Sequence, residues 1–160
     1  LKTKKIFLLL NQLLCLLFAL SMKSINLEII KVGDILPELI TEPITSSTLS
    51  EYAKASGDYN PIHLDTKLAK KVGLPNVIAH GMLIMSYLAR SITNHIDQVL
   101  VKEYGVKFSS MTNLDDILCC KGRVTHVRRV GSRVQFELKL SVKNQFEDEK
   151  LVGFAIIKSH

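Results

Sequence analysis

The stretch from Gly81 to about His95 leaves almost no polar face in its first half: Met82, Leu83, Ile84, Met85, Tyr87, Leu88, Ala89 and Ile92 are all apolar or nearly so. A helix that is hydrophobic around its whole circumference has to be wrapped by other structure. The wrapping is legible downstream. In residues 133–142, Val134, Phe136, Leu138, Leu140 and Val142 alternate with Arg133, Gln135, Glu137, Lys139 and Ser141, the period-2 pattern of a strand with one face in the core. Gly131-Ser132 ahead of it is a hairpin signal, and residues 99–108, 117–127 and 151–158 read as further strands. One buried helix followed by a run of strands predicts an α+β layout, an antiparallel sheet curled around that helix. A length of 160 residues, 47% of them hydrophobic, supports one such core and not two.

Charge excludes one class of partner. The formal net charge is +6, but Lys2, Lys4 and Lys5 sit in a 21-residue opening stretch with no acidic residue, and subtracting them leaves +3 over residues 22–160. That is too weak for a nucleic-acid binder and suits an anionic small molecule. The opening stretch, residues 1–21, has the layout of a secretory signal: three lysines, an apolar run over residues 6–20, and Ala19-Leu20-Ser21 as a cleavage site. Asn11 and Gln12 interrupt that run, which is short for a bilayer span, so no membrane partner is expected. The competing reading is an upstream extension ahead of a start at Met22, and this one is preferred. A single domain over residues 22–160, located in the cytoplasm, is the expectation; export is the alternative if the signal is real. Cys15, Cys119 and Cys120 include no Cys-x-x-Cys or Cys/His spacing, which argues against structural zinc and for reduced thiols.

Between residues 29 and 44 the chain reads as an extended lead-in, with Pro37 and Pro43 breaking any helix. A short helix follows, capped by Ser47 or Thr48, with Leu49, Tyr52 and Ala53 on one face. Next comes a turn-rich loop, Ser56-Gly57-Asp58-Tyr59-Asn60-Pro61-Ile62-His63, and then one or two helical turns over residues 66–72. The loop presents a carboxylate and an imidazole five residues apart, which serve general acid–base chemistry if both reach one water or substrate. Asn60 can hold the turn between them, and Pro61 stiffens the path to His63. At His80-Gly81-Met82 the buried helix begins, with unpaired backbone N–H groups and the positive end of the helix dipole. Glycine there lets a ligand approach those amides, the equipment for polarising a thioester carbonyl. On spacing alone the loop could equally be only a turn, and His80 could merely cap the helix or bond a backbone carbonyl.

The run Tyr52-Ala53-Lys54-Ala55-Ser56-Gly57-Asp58-Tyr59-Asn60-Pro61-Ile62-His63-Leu64-Asp65 resembles the hydratase-2 signature of the MaoC-like dehydratases, the (R)-specific enoyl-CoA hydratases. Val77-Ile78-Ala79-His80-Gly81-Met82-Leu83 is similar to that family's second block. The resemblance implies a hot-dog fold, a long helix wrapped by an antiparallel sheet, in a homodimer with its substrate tunnel near the subunit interface. It implies reversible hydration of trans-2-enoyl thioesters of coenzyme A or acyl carrier protein, as in fatty acid metabolism. Asp58 and His63 would be the catalytic pair and Gly81 the amide donor to the thioester oxygen. Asn60, Ser56 and His80 would support them. Neither a cofactor nor a metal is implied. The sequence departs from the family after Phe108, where residues 109–116 lack the Pro- and Gly-bearing turn of many members, and this leaves acyl-chain preference open.

Lys121, Arg123, Arg128, Arg129 and Arg133 form a basic cluster, read chiefly as a solvated strand face, with one or two free to meet coenzyme A phosphates or an acidic carrier protein. Cys119-Cys120 reads as strand filler, and the Ser86 hydroxyl as bonded to a backbone carbonyl. Two rival functions remain on the same fold: a thioesterase attacking the carbonyl carbon, and a non-catalytic acyl-binding subunit. Retention of both Asp58 and His63 argues against the second.

Overall fold

The computed structural model describes residues 25–159, so the leader at residues 1–21 and the start at Met22 lie outside it. Five strands form one antiparallel sheet: β1 (Leu39–Ile40), β2 (Val101–Phe108), β3 (Cys119–Val130), β4 (Arg133–Lys143) and β5 (Glu149–Lys158), in the spatial order β1-β3-β4-β5-β2. Among the described residues three α-helices precede the long strands: α1 (Ser46–Ser56), α2 (Thr66–Lys71) and α3 (Gly81–Thr93). This is the expected α+β layout, and each strand segment read from the sequence is present to within a few residues.

β4 follows its alternation throughout, with Val134, Phe136, Leu138, Leu140 and Val142 buried. They meet Leu83, Ile84, Leu88 and Ile92 of α3 in a single core that also takes Leu118, Cys120, Leu151, Ala155 and Ile157. Burying each large side chain contributes about 1.5–3 kcal/mol. Gly131, at φ 60°, turns β3 into β4.

The sheet curls over α3 as expected, and among the described residues it covers one side of that helix. Leu83, Ile84, Leu88, Ser91 and Ile92 face the sheet, whereas Met82 is 56% exposed and Met85 and Tyr87 are half-buried. A single sheet covers one side of a helix, so an all-round apolar helix keeps an uncovered strip. The cap of α1 is Thr45, not Ser47 or Thr48. Thr45 keeps extended backbone and its Oγ1 accepts the Thr48 N–H at 3.1 Å, which places Ser47 and Thr48 inside the first turn. The lead-in holds no helix, as expected, carries β1, and runs along β3 through bonds such as Leu36 N–H to Gly122 O at 2.9 Å.

Candidate active site

Local backbone chemistry builds the loop. At the end of α1, Gly57 adopts φ 77°, a left-handed conformation that glycine takes freely, and its N–H bonds Ala53 O. The chain then reverses into Asp58. The Ser56 hydroxyl donates to Tyr52 O at 2.8 Å and accepts the Asp58 N–H at 3.2 Å. Asp58 Oδ1 accepts the Asn60 N–H at 3.1 Å, and Asn60 Oδ1 accepts the Ile62 N–H at 3.2 Å. Asn60 thereby caps the 3-10 turn Pro61–His63, with Pro61 at its first position. Ser56 and Asn60 thus hold the backbone of this loop.

His63 lies buried at the end of this turn, its Nδ1 2.7 Å from Ile78 O. A carbonyl only accepts, so Nδ1 carries the proton and a neutral ring leaves Nε2 as a free base. His80 is 1% exposed, and its Nε2–H donates to Asp58 O at 3.1 Å. It makes no side-chain cap to α3, so of the two structural roles open to it in the sequence, the bond to a carbonyl is the one realised. Its Nδ1 is buried without a partner among the described residues. The two imidazoles lie with centroids 3.9 Å apart, tilted by 32°, and the Tyr52 ring packs against His80 with centroids 4.9 Å apart. Burial pushes the His80 imidazole below its ordinary value, and its bond to Asp58 O opposes this only in part.

One donor atom from each of Asp58, His63 and His80 lies within 4.8 Å of the others. That trio could converge on a divalent cation. It is equally the convergence needed for two groups to share one water.

A cavity of about 310 Å³ opens beside the pair, lined by His63 and Gly81 with Ile78, Ile84, Phe108 and Met111. Asp58 does not line it and is exposed. Gly81 begins α3, so its N–H has no carbonyl one turn back. A Cβ on Gly81 would sit 3.1 Å from the Phe108 ring, and the bare backbone leaves that space to a ligand.

The basic cluster does not reach this cavity. Lys121 pairs with Glu38 at 2.9 Å, Arg123 bonds Gly33 O at 3.4 Å, and Arg129 bonds Glu28 O and Ile30 O at 3.0 and 2.6 Å, so three of the five fasten the lead-in to β3. The cation that does line the cavity is Lys150, which the sequence reading missed because it sits in an unremarkable run, Glu147-Asp148-Glu149-Lys150, at the start of β5. The Ser86 hydroxyl donates to Leu83 O at 2.7 Å, as expected. Cys119 and Cys120 are free thiols, and burial pushes Cys120 up to about 12. Among the described residues no helix is long and apolar enough to cross a membrane.

The MaoC like domain matches residues 36–150. A mitochondrial 3-hydroxyacyl-[acyl-carrier-protein] dehydratase of Arabidopsis thaliana is 31% identical over 115 residues, covering 72% of this chain and 67% of that one. The peroxisomal enoyl-CoA hydratase 2 of the same plant is 26% identical over 119 residues, 72% of this chain but 37% of that longer protein. Among solved structures, the R-hydratase PhaJ1 from Pseudomonas aeruginosa superposes with a TM-score of 0.73 at 25% identity, covering 84% of each chain. The curled five-stranded sheet over α3 is accordingly a hot-dog fold. With the two sequence blocks folded onto one cavity and the domain match spanning most of its length, this chain belongs to the MaoC-like dehydratase family.

Proposed function

We propose that this protein is a hydro-lyase that reversibly adds water to trans-2-enoyl thioesters, forming (R)-3-hydroxyacyl thioesters in fatty acid metabolism. The observation that carries the reading is the 2.7 Å contact of His63 Nδ1 with the Ile78 carbonyl, which leaves Nε2 to face the reaction, with His63 lining the same cavity as Gly81 at the start of α3. Asp58 and His63 orient one water. Its oxygen bonds the β-carbon, one of its protons passes to the pair, and the pair returns a proton to the α-carbon. The Gly81 N–H and the positive end of α3 stabilise the negative charge that gathers on the thioester oxygen meanwhile. Every atom comes from substrate and water, so the route calls on no cofactor. The apolar walls, Ile78, Ile84, Phe108 and Met111, receive the acyl chain.

The test is the loss of enoyl absorbance from crotonyl-CoA and from the matching carrier-protein thioester. Release of free thiol from a saturated acyl-CoA would instead identify a thioesterase, and binding without turnover a non-catalytic subunit.

A homodimer belongs to the same reading. β2 is an edge strand with a free outer side among the described residues, and Met82, Phe108 and Met111 are each at least half exposed near its end. Light scattering at micromolar concentration should give twice the monomer mass. Free thiols at Cys119 and Cys120 support a reducing compartment, the cytoplasm by our reading, though the Arabidopsis relative is mitochondrial. Imaging a fusion at the native amino terminus decides between them.

A further inference from the structure

One wall of the cavity is the segment Ser109-Ser110-Met111-Thr112; Glu149 accepts the Ser109 and Ser110 hydroxyls at 2.9 and 2.8 Å, the Ala79 N–H bonds Thr112 O at 2.8 Å, and Lys150 holds the stretch between. The Lys150 carbonyl accepts the N–H groups of Ser109 and Ser110 at 3.0 and 3.4 Å. The Lys150 ammonium donates to Met111 O at 3.0 Å and pairs with the Asp116 carboxylate at 3.3 Å. Asp116 in turn accepts from Asn113 N–H and from Asn144 Nδ2, both at 2.9 Å. Lys150, Asp116 and Asn144 are all 4% exposed or less. Lysine is almost never buried this far unless paired, and every polar atom of this trio's charged groups has partners. Lys150 also lines the otherwise mostly apolar cavity.

We propose that Lys150 is a specificity-determining residue that limits acyl-chain length. Resting on the hydratase reading above, this names the part of the same site that selects the substrate. An alkyl tail long enough to reach the Met111 wall has to move it, and moving it parts a buried ammonium from the Met111 carbonyl and the Asp116 carboxylate. A short tail meets only Ile78, Ile84 and Phe108. Residues 109–116 lack glycine and proline, and the bend they need falls on Asp115 at φ 65°, so no stiff turn sequence sets the wall, and the buried Lys150–Asp116 pair fixes the part of it at Met111.

The experiment replaces both charges at nearly constant volume in the double variant Asp116→Asn with Lys150→Met. The ratio of kcat/KM for trans-2-dodecenoyl-CoA to that for crotonyl-CoA should rise roughly tenfold or more, chiefly through the KM of the long substrate, on the scale of a changed apolar pocket contact. General damage to the fold would lower both substrates together, so an unchanged ratio overturns the proposal. Should the double variant fail to melt cooperatively, Asp116→Asn alone, which keeps the Lys150 bond to Met111 O, is read the same way: a smaller rise is expected, and an unchanged ratio overturns the proposal. Calorimetric binding of butyryl-CoA and lauroyl-CoA to the same proteins needs no turnover. If the wild type does not hydrate at all, the hydratase reading fails, and the relative affinity for the two saturated thioesters still decides the role of Lys150.

Discussion

Asp58→Asn separates chemistry from structure more cleanly than any other change at this site. Asp58 is exposed, and its Oδ1 accepts one bond, the Asn60 N–H at 3.1 Å. Asparagine keeps an Oδ1 in the same place, so the turn survives; only the extra strength of a charged acceptor is lost, about 1 kcal/mol or less at a solvated position. For a domain of this size that lowers the melting temperature by roughly 2–5 °C. The catalytic loss is on another scale. Removing a general acid–base group costs about 10²–10⁴ in rate, equivalent to about 3–5 kcal/mol of barrier at 1.36 kcal/mol per factor of ten. The assay is the initial rate of crotonyl-CoA hydration set beside a thermal melt of the same sample. A variant that melts within those few degrees and hydrates within threefold of the wild type would remove Asp58 from the chemistry and, with it, the mechanism above.

Three further outcomes follow from neighbouring geometry. His63→Ala should lose activity on the same scale but, unlike Asp58→Asn, also lose about 1–3 kcal/mol of stability, because the part-buried Ile78 carbonyl and the neighbouring His80 ring lose a partner; denaturant melts read this. Gly81→Ala should fold, since the half-exposed Phe108 ring can yield to a Cβ 3.1 Å away, yet lose roughly tenfold or more in kcat/KM as the methyl crowds the amide. The third concerns acid. Burial holds the folded His80 below 6.5, so below that value the unfolded chain binds the extra proton more readily. His80 therefore leaves stability intact above 6.5 and erodes it as pH falls. His80→Gln keeps an N–H for Asp58 O and cannot titrate, so its melting temperature should fall less steeply than the wild type's between about pH 7 and pH 5.

Much of this was written in short-range pattern. The alternation of Val134 to Val142 declares a strand with one buried face, and the register of a period-2 element leaves no freedom about which side faces inward. The turns of the loop from Ser56 to His63 are likewise built from its own side chains: Ser56, Asp58 and Asn60 all bond backbone within two to four residues, and distant partners bond only the outcome, at Asp58 O, Ile62 O and His63. The cap of α1 was misplaced because Thr45, Ser47 and Thr48 carry the same hydroxyl chemistry, and only the backbone angle at Thr45 distinguishes the cap. The basic cluster had no legible destination, because a cation on a strand is defined by what the opposite segment brings to it, here the carbonyls of the lead-in.

The sequence by itself determined which groups are present and how each short segment bends, because turn, cap and strand patterns are satisfied within a few residues. Tertiary structure alone decided the rest. Ile78, fifteen residues from His63, selects which imidazole nitrogen keeps its lone pair; Asp58 O, twenty-two residues from His80, does the same for the second ring. Lys150 became part of the cavity only when β5 laid it against Met111 and Asp116. A proton's location and a buried charge both depend on partners within about 3 Å in space, and residues distant along the chain supply those partners only once it has folded.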